Sequence, residues 1–239
     1  MKILVKRLFD RTVLAAVNYL KIHSTPPYTV VNELQRRAVL EAADYAQKNM
    51  ALAVHFINAP LLRSFAIKKV MIDGIVAEFG VFSGNSINQI AREISIFKNN
   101  KIQVYGFDSF EGLMEDWVGT DSPKGTFDMG GNMPPVDSNV KLIKGWFHES
   151  IPLFLTKFDA STPFSFIHID GDTFAAAKTV FDKIGDRIVP GTVVVFDEYF
   201  GYRGWRLGEH KAWSEFVESK RLSYEYLGFS NQQVAVRVI

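Results

Sequence analysis

Glu78-Phe79-Gly80-Val81-Phe82-Ser83-Gly84-Asn85-Ser86 decides how this chain is read. The apolar run Ile75-Val76-Ala77 before it has strand character, and the amphipathic run from Ile87 to Phe97 after it has helix character. A strand that turns through glycines into a helix is how an α/β domain builds a nucleotide pocket. Glycine lets the backbone turn tightly and approach a ligand, and the first turn of the helix offers unpaired N–H groups.

Working outward, strand and helix patterns alternate from Gly74 onward. Strands are expected at Ile75–Phe79, Gln103–Phe107, Val140–Ile143, Phe164–Ile169 and Thr192–Phe196. Helices are expected at Ser86–Phe97, Glu149–Lys157, Ala175–Ile188 and Glu209–Glu218. This order predicts a mostly parallel sheet with helices on both faces. Tyr224–Leu227 and Val234–Val238 read as an antiparallel hairpin at the sheet edge. Residues 1–70 read as a helical extension, broken at Pro26-Pro27 and including a helix over Asn32–Met50; residues 71–239 form the α/β domain. The Gly112–Asn139 stretch, rich in Gly, Pro, Asp and Ser, leaves the carboxyl end of a strand, where open α/β sheets keep their ligands. It reads as a substrate lid, or as a variable surface loop.

The strand ends carry the chemistry. Asp108 closes the second strand, thirty residues after Glu78, where an acid can accept hydrogen bonds from ribose hydroxyls. Trp146 and Phe147 follow the third strand, where an aromatic ring can stack on a base or pack in the core. His168-Ile169-Asp170-Gly171-Asp172 closes the fourth strand and Phe196-Asp197-Glu198-Tyr199 the fifth. Carboxylates crowded at one rim repel one another unless a cation binds or a proton is held. Hard oxygen ligands favour Mg²⁺, with Mn²⁺ and Ca²⁺ as alternatives. A cap of the following helix by Asp172 and a solvated Glu198 is the competing reading. His168 lies inside an apolar run and reads as a core residue, whereas His210 stands near a helix start past the acidic rim.

Bulk properties set limits. The chain has 239 residues with 47% hydrophobic and 22% charged, enough apolar content for a packed α/β domain. Its formal net charge is +1, with no basic stripe of the kind nucleic acid demands. The absence of Cys excludes disulfides, thiolate metal sites and a Cys nucleophile, and fits a reducing, cytoplasmic setting. The longest uncharged stretch near the start, Thr12–Leu20, is too short to span a bilayer. The apolar face of residues 3–20 is expected to pack or to form a homodimer rather than meet a membrane.

With these residues in place, the chain resembles class I S-adenosylmethionine-dependent methyltransferases, and within them the macrocin-type metal-dependent O-methyltransferases that act on sugar hydroxyls. The resemblance runs from about Gly74 to the C-terminus. It is carried by the glycine turn, by Gly106-Phe107-Asp108-Ser109-Phe110-Glu111-Gly112, and by the two acidic strand ends. It implies a Rossmann-like fold, a mostly parallel seven-stranded sheet with the antiparallel hairpin. It also implies that Glu78, Gly80, Phe82 and Ser86 border the methionine and ribose of the cofactor. Asp108 would bind the ribose with Ser109 and Phe110 beside it, and Trp146 and Phe147 would lie near the adenine. Asp170, Asp197 and Glu198 would hold the divalent metal. Two departures stand out. The family often reads Asp-Asp where this chain has Asp197-Glu198, and the lysine that the catechol branch carries is replaced by Thr173.

The reaction so implied is in-line displacement on the sulfonium methyl by a hydroxyl oxygen of a small molecule, with Asp170, Asp172 or His210 taking the proton. A nicotinamide-dependent oxidoreductase would want Gly-x-Gly-x-x-Gly, which is missing. A protein that binds the cofactor without catalysis is the other rival.

Overall fold

The computed structural model describes residues 29–99 and 101–239. Contacts divide the chain into a unit ending at Arg37 and a unit from Ala38 to Ile239. Of the first, residues 29–37 are described: they open helix α1 (Val30–Asn49), whose first turn carries Glu33, ion-paired with Arg36 and Arg37. The expected helix within residues 3–20 lies outside the described residues. The second unit holds the α/β domain and reaches further back than residue 71: strand β1 (Val54–His55) and helix α2 (Ala59–Lys68) belong to it.

The elements then run β2 (Ile75–Phe79), α3 (Asn85–Phe97), β3 (Val104–Asp108), β4 (Val140–Lys144), α4 (Phe147–Leu155), β5 (Phe164–Ile169), α5 (Phe174–Ile184), β6 (Val193–Phe196), α6 (Glu209–Lys220), β7 (Tyr224–Phe229) and β8 (Val234–Val238). The sheet has eight strands in the order β1-β7-β8-β6-β5-β2-β3-β4. All pairings are parallel except those of β8 with β6 and β7. The strand beyond the expected seven is β1, whose two residues pair with Gly228 and Phe229 and are too short to show any period.

β2, β5 and β6 are buried along their whole length, as strands covered on both faces must be. Alternate residues feed two apolar layers. Ile75, Ala77, Phe79, Ile167, Ile169, Val194 and Phe196 join the side of α4, α5 and α6; Val76, Phe166, Val193 and Val195 join the side of α2 and α3. α3 buries Ile87, Ile90, Ala91 and Ile94, one face of a 3.6-residue period. α5 does the same with Ala177, Val180, Phe181 and Ile184, and Thr173 caps it by accepting from the Ala176 N–H at 3.3 Å. Thr173, where the catechol branch has lysine, therefore has a structural task. No described helix is long and apolar enough to cross a membrane.

Candidate active site

The carboxyl ends of β2 to β6 open into a cavity of about 720 Å³. Gly80 leaves β2 with a φ of +97°, donating its N–H to the Phe107 carbonyl at 2.9 Å. A Cβ there would collide with the Asp170 carbonyl oxygen, so the turn and the end of β5 touch backbone to backbone. Asp108 shapes the same turn. One carboxylate oxygen accepts the N–H groups of Val81 at 2.8 Å and Phe82 at 2.9 Å, and the other accepts from Phe110 at 2.7 Å. A carboxylate has about four acceptor positions, so little capacity is left over.

Of the residues expected around the cofactor, Gly80, Phe82, Ser86, Asp108, Ser109, Trp146 and Phe147 line the cavity. Glu78 and Phe110 do not. Glu78 is sealed beneath the floor against His168, and Phe110 is a core residue. Phe82 and Asp172, both on the wall, hold φ of 45° and 64°. Asp tolerates that region, but a bulky group such as Phe82 rarely adopts it, and such strain gathers at ligand sites.

Of the acidic residues, Asp170, Asp172 and Asp197 line the cavity, while Glu198 is buried beside it. Ligand-capable oxygens of Asp170, Asp172 and Glu198 all lie within 4.8 Å of one another. Asp197 is turned to other partners: Arg63 at 3.3 Å, Gln233 at 3.4 Å and His168 at 3.6 Å. Burial opposes its charge, yet His168, Glu198 and Arg63 hold its pKa at about 2. Asp172 goes the other way: burial first, then Asp197 and Asp108, push it to about 7. Asp170 and Glu198 are raised by burial and then by Asp197. Oε2 of Glu198 is buried without a hydrogen-bond partner.

His210 does not line the cavity. α6 starts after an aromatic loop, and its second residue is enclosed by the rings of Tyr45, Tyr199 and Trp205. Tyr199, Phe200, Tyr202 and Trp205 are likewise buried in packing, and Trp117 lies edge-on to Tyr202. The Gly112–Asn139 segment is folded back on itself: the Leu113 N–H donates to the Thr126 carbonyl, the Gly125 N–H donates to the Leu113 carbonyl, and the N–H groups of Met129 and Gly131 reach the Phe110 carbonyl. From it Leu113, Met114, Glu115 and Phe127 reach the cavity wall, the placement a lid requires.

Sequence reading missed Arg63, Gln233 and Glu209. Arg63 stands on α2, outside the alternating region, and no local pattern marks it. Glu209 is buried at the start of α6 and accepts the Glu198 N–H at 3.1 Å.

A glycine turn, an acid on the next strand and a cavity over five parallel strand ends define a class I methyltransferase fold. A family profile described as a methyltransferase domain matches residues 77–199. The chain belongs to that family of S-adenosylmethionine-dependent enzymes. No curated protein sequence matches it. Among solved structures, CalS11, a calicheamicin methyltransferase, superposes with a TM-score of 0.61 at 20% identity, over 86% of this chain and 91% of that one. Its apo form, described as a TDP-rhamnose 3'-O-methyltransferase, gives 0.55 at 20% identity over 86% and 93%. The O-methyltransferase NovP gives 0.52 at 17% identity, over 74% and 78%. At these identities the likeness is one of fold.

Proposed function

We propose that the chain moves the methyl group of S-adenosylmethionine to a hydroxyl oxygen of a small molecule, a sugar or a sugar-bearing natural product, with a divalent cation orienting the acceptor. One observation carries the reading. A single cavity is bounded at one end by the glycine turn, Asp108 and Trp146, and at the other by Asp170, Asp172 and Asp197. The sugar acceptor is supported by what CalS11 is described to act on, and by the motifs shared with macrocin-type enzymes.

The residues fit a hard cation. Asp170, Asp172 and Glu198 offer oxygen donors at ligand spacing, and the orphaned Glu198 oxygen lacks any other partner. The resemblance adds Asp197, which here is held by Arg63, His168 and Gln233. When bound, the donor supplies a methyl group already activated by positive sulfur, and the cation lowers the pKa of an acceptor hydroxyl. The protein's own work is alignment and proton removal. The cavity walls from β2 to β4 hold the nucleoside, and Phe82 and Phe127, with ring centres 5.3 Å apart, close the wall between turn and lid. Asp170 and Asp172 border the cavity, and whichever of them lies outside the cation's ligand set is the candidate to take the hydroxyl proton; His210 does not border the cavity. With a formal net charge of +1 there is no net electrostatic drive toward nucleic acid, in keeping with a small acceptor.

The test is release of S-adenosylhomocysteine in the presence of Mg²⁺ and a panel of nucleotide sugars, glycosides and catechols. Turnover confined to sugar hydroxyls supports the proposal. Turnover with catechols alone, or cofactor binding without turnover on any acceptor, contradicts it.

A further inference from the structure

Arg63 is the only Arg or Lys among the described residues that line the cavity, whose lining also holds Asp108, Glu115, Asp170, Asp172 and Asp197. Its side chain is 10% exposed. Nη1 reaches Asp197 Oδ1 at 3.3 Å, and Nε donates to Gln89 Oε1 at 3.0 Å. Gln89 is itself fixed, donating to the Pro60 carbonyl at 2.7 Å. A guanidinium has five N–H donors, and these two bonds use two of them. The group is therefore both oriented and under-used.

The strand order gives its position meaning. From β4 the cavity floor runs through β3, β2 and β5 to β6. Asp108 ends β3 and Asp197 follows β6, three strand spacings apart, or about 14 Å. A nucleoside seated at the Asp108 and Trp146 end must send its amino-acid tail toward the Asp170 and Asp197 end. That tail carries a carboxylate, and among the described lining residues Arg63 is the one Arg or Lys that can pair with it. We infer that Arg63 binds the carboxylate at the methionine end of the methyl donor, an assignment that rests on S-adenosylmethionine being the donor. Asp197 keeps the fork in place by pairing with one edge and leaves the remaining donors for the ligand.

A phosphate of a nucleotide-sugar acceptor has similar anionic chemistry, so the test must separate the two. Titration calorimetry compares S-adenosylhomocysteine with 5'-methylthioadenosine, which keeps the nucleoside and sulfur but lacks the amino acid. The proteins are wild type, Arg63→Met and Arg63→Lys; thymidine diphosphate serves as the phosphate probe. Arg63→Met is expected to weaken S-adenosylhomocysteine about 10- to 100-fold, the range of a charged hydrogen bond, and methylthioadenosine by less than about threefold. Arg63→Lys is expected to recover part of the loss and, with it, part of the selectivity against methylthioadenosine. If Arg63→Met does not fold, the same ratio is read from Arg63→Lys. Equal weakening of both nucleosides overturns the inference and leaves Arg63 as the counter-ion of Asp197. Unchanged S-adenosylhomocysteine with weakened thymidine diphosphate overturns it in favour of the acceptor. Wild-type protein that binds neither nucleoside contradicts the donor itself, and with it the role of Arg63.

Discussion

Nδ1 of His168 lies 2.7 Å from Oε1 of Glu78, and neither side chain reaches solvent. The two residues are register partners on β5 and β2, so the pair welds the central strands directly under the cavity. Burial opposes a charge on His168, but attraction to Asp197 and Glu78 outweighs it and raises its pKa to about 10. Removing one member of a buried pair strands the other, at a cost of about 3–5 kcal/mol. Glu78→Ala is therefore expected to lose about that much stability in urea unfolding. Glu78→Gln, which keeps an acceptor for the ring, loses less. Equal losses for both would show that only shape matters at this position.

The acidic end carries a prediction about metal that needs no turnover. Asp170 is half-buried and Asp172 and Glu198 are buried, all three crowded together, and desolvation with repulsion from neighbouring carboxylates raises their pKa values. A cation relieves that repulsion. Mg²⁺ or Mn²⁺ is expected to raise the melting temperature by several degrees, about 1–3 kcal/mol by mass action at saturating ion. Glu198→Gln is expected to stabilise the metal-free protein and to abolish the rise. Chelation of the wild type should remove methyl transfer while S-adenosylhomocysteine still binds. A melting temperature indifferent to both ions would remove the cation from the account.

His210 makes a stability test that does not involve the cavity. Burial, then Arg206, lowers its pKa from 6.5 to about 4 against a small opposing pull from Glu41. The folded protein thus holds His210 neutral where the unfolded chain protonates it. Its contribution is complete above pH 6.5 and is lost as pH falls toward 4, by at most about 3 kcal/mol at 1.36 kcal/mol per unit. Wild type should lose stability over that window faster than His210→Phe. Parallel curves for the two proteins would deny the shift.

Gly80 and Gly125 share a left-handed backbone, with φ of +97° and +85°, but not their surroundings. Gly125→Ala has open space around it and should cost only the backbone term, about 1–2 kcal/mol. Gly80→Ala would also drive a methyl group into the Asp170 carbonyl, so its loss in thermal unfolding should be clearly larger. Similar losses at both positions would mean that the turn and the end of β5 can part without harm.

The sheet was legible because its signals are local. Val193–Phe196 is an uninterrupted apolar run and Phe164–Ile169 a mostly apolar one carrying Ser165 and His168; each is followed at once by an acid, and both features follow from burial on two faces with a functional rim. β1 was not legible: two residues carry no period, and Val54 pairs with Gly228 only through tertiary folding. The lining of the cavity divides the same way. Gly80, Asp108 and Asp170 announce themselves by standing at strand ends. Arg63 comes from a helix that precedes the alternating region, and its meeting with Asp197 spans 134 positions that no local pattern encodes. The resemblance implies Glu78 beside the cofactor. Its Cβ follows the strand pleat inward, and the partner waiting there is His168. His210, past the acidic rim in sequence, reads equally as a base or as a surface residue; it is neither, because the intervening aromatic loop carries it into a cage of rings away from the cavity.

The account stands on an adenosyl donor lying over β2 and β3 in the 720 Å³ cavity. Titration calorimetry of S-adenosylhomocysteine into the purified protein, with NAD as competitor, tests this most directly. Saturable one-to-one binding that NAD does not displace is the predicted result. Absence of binding, or displacement by NAD, would contradict it.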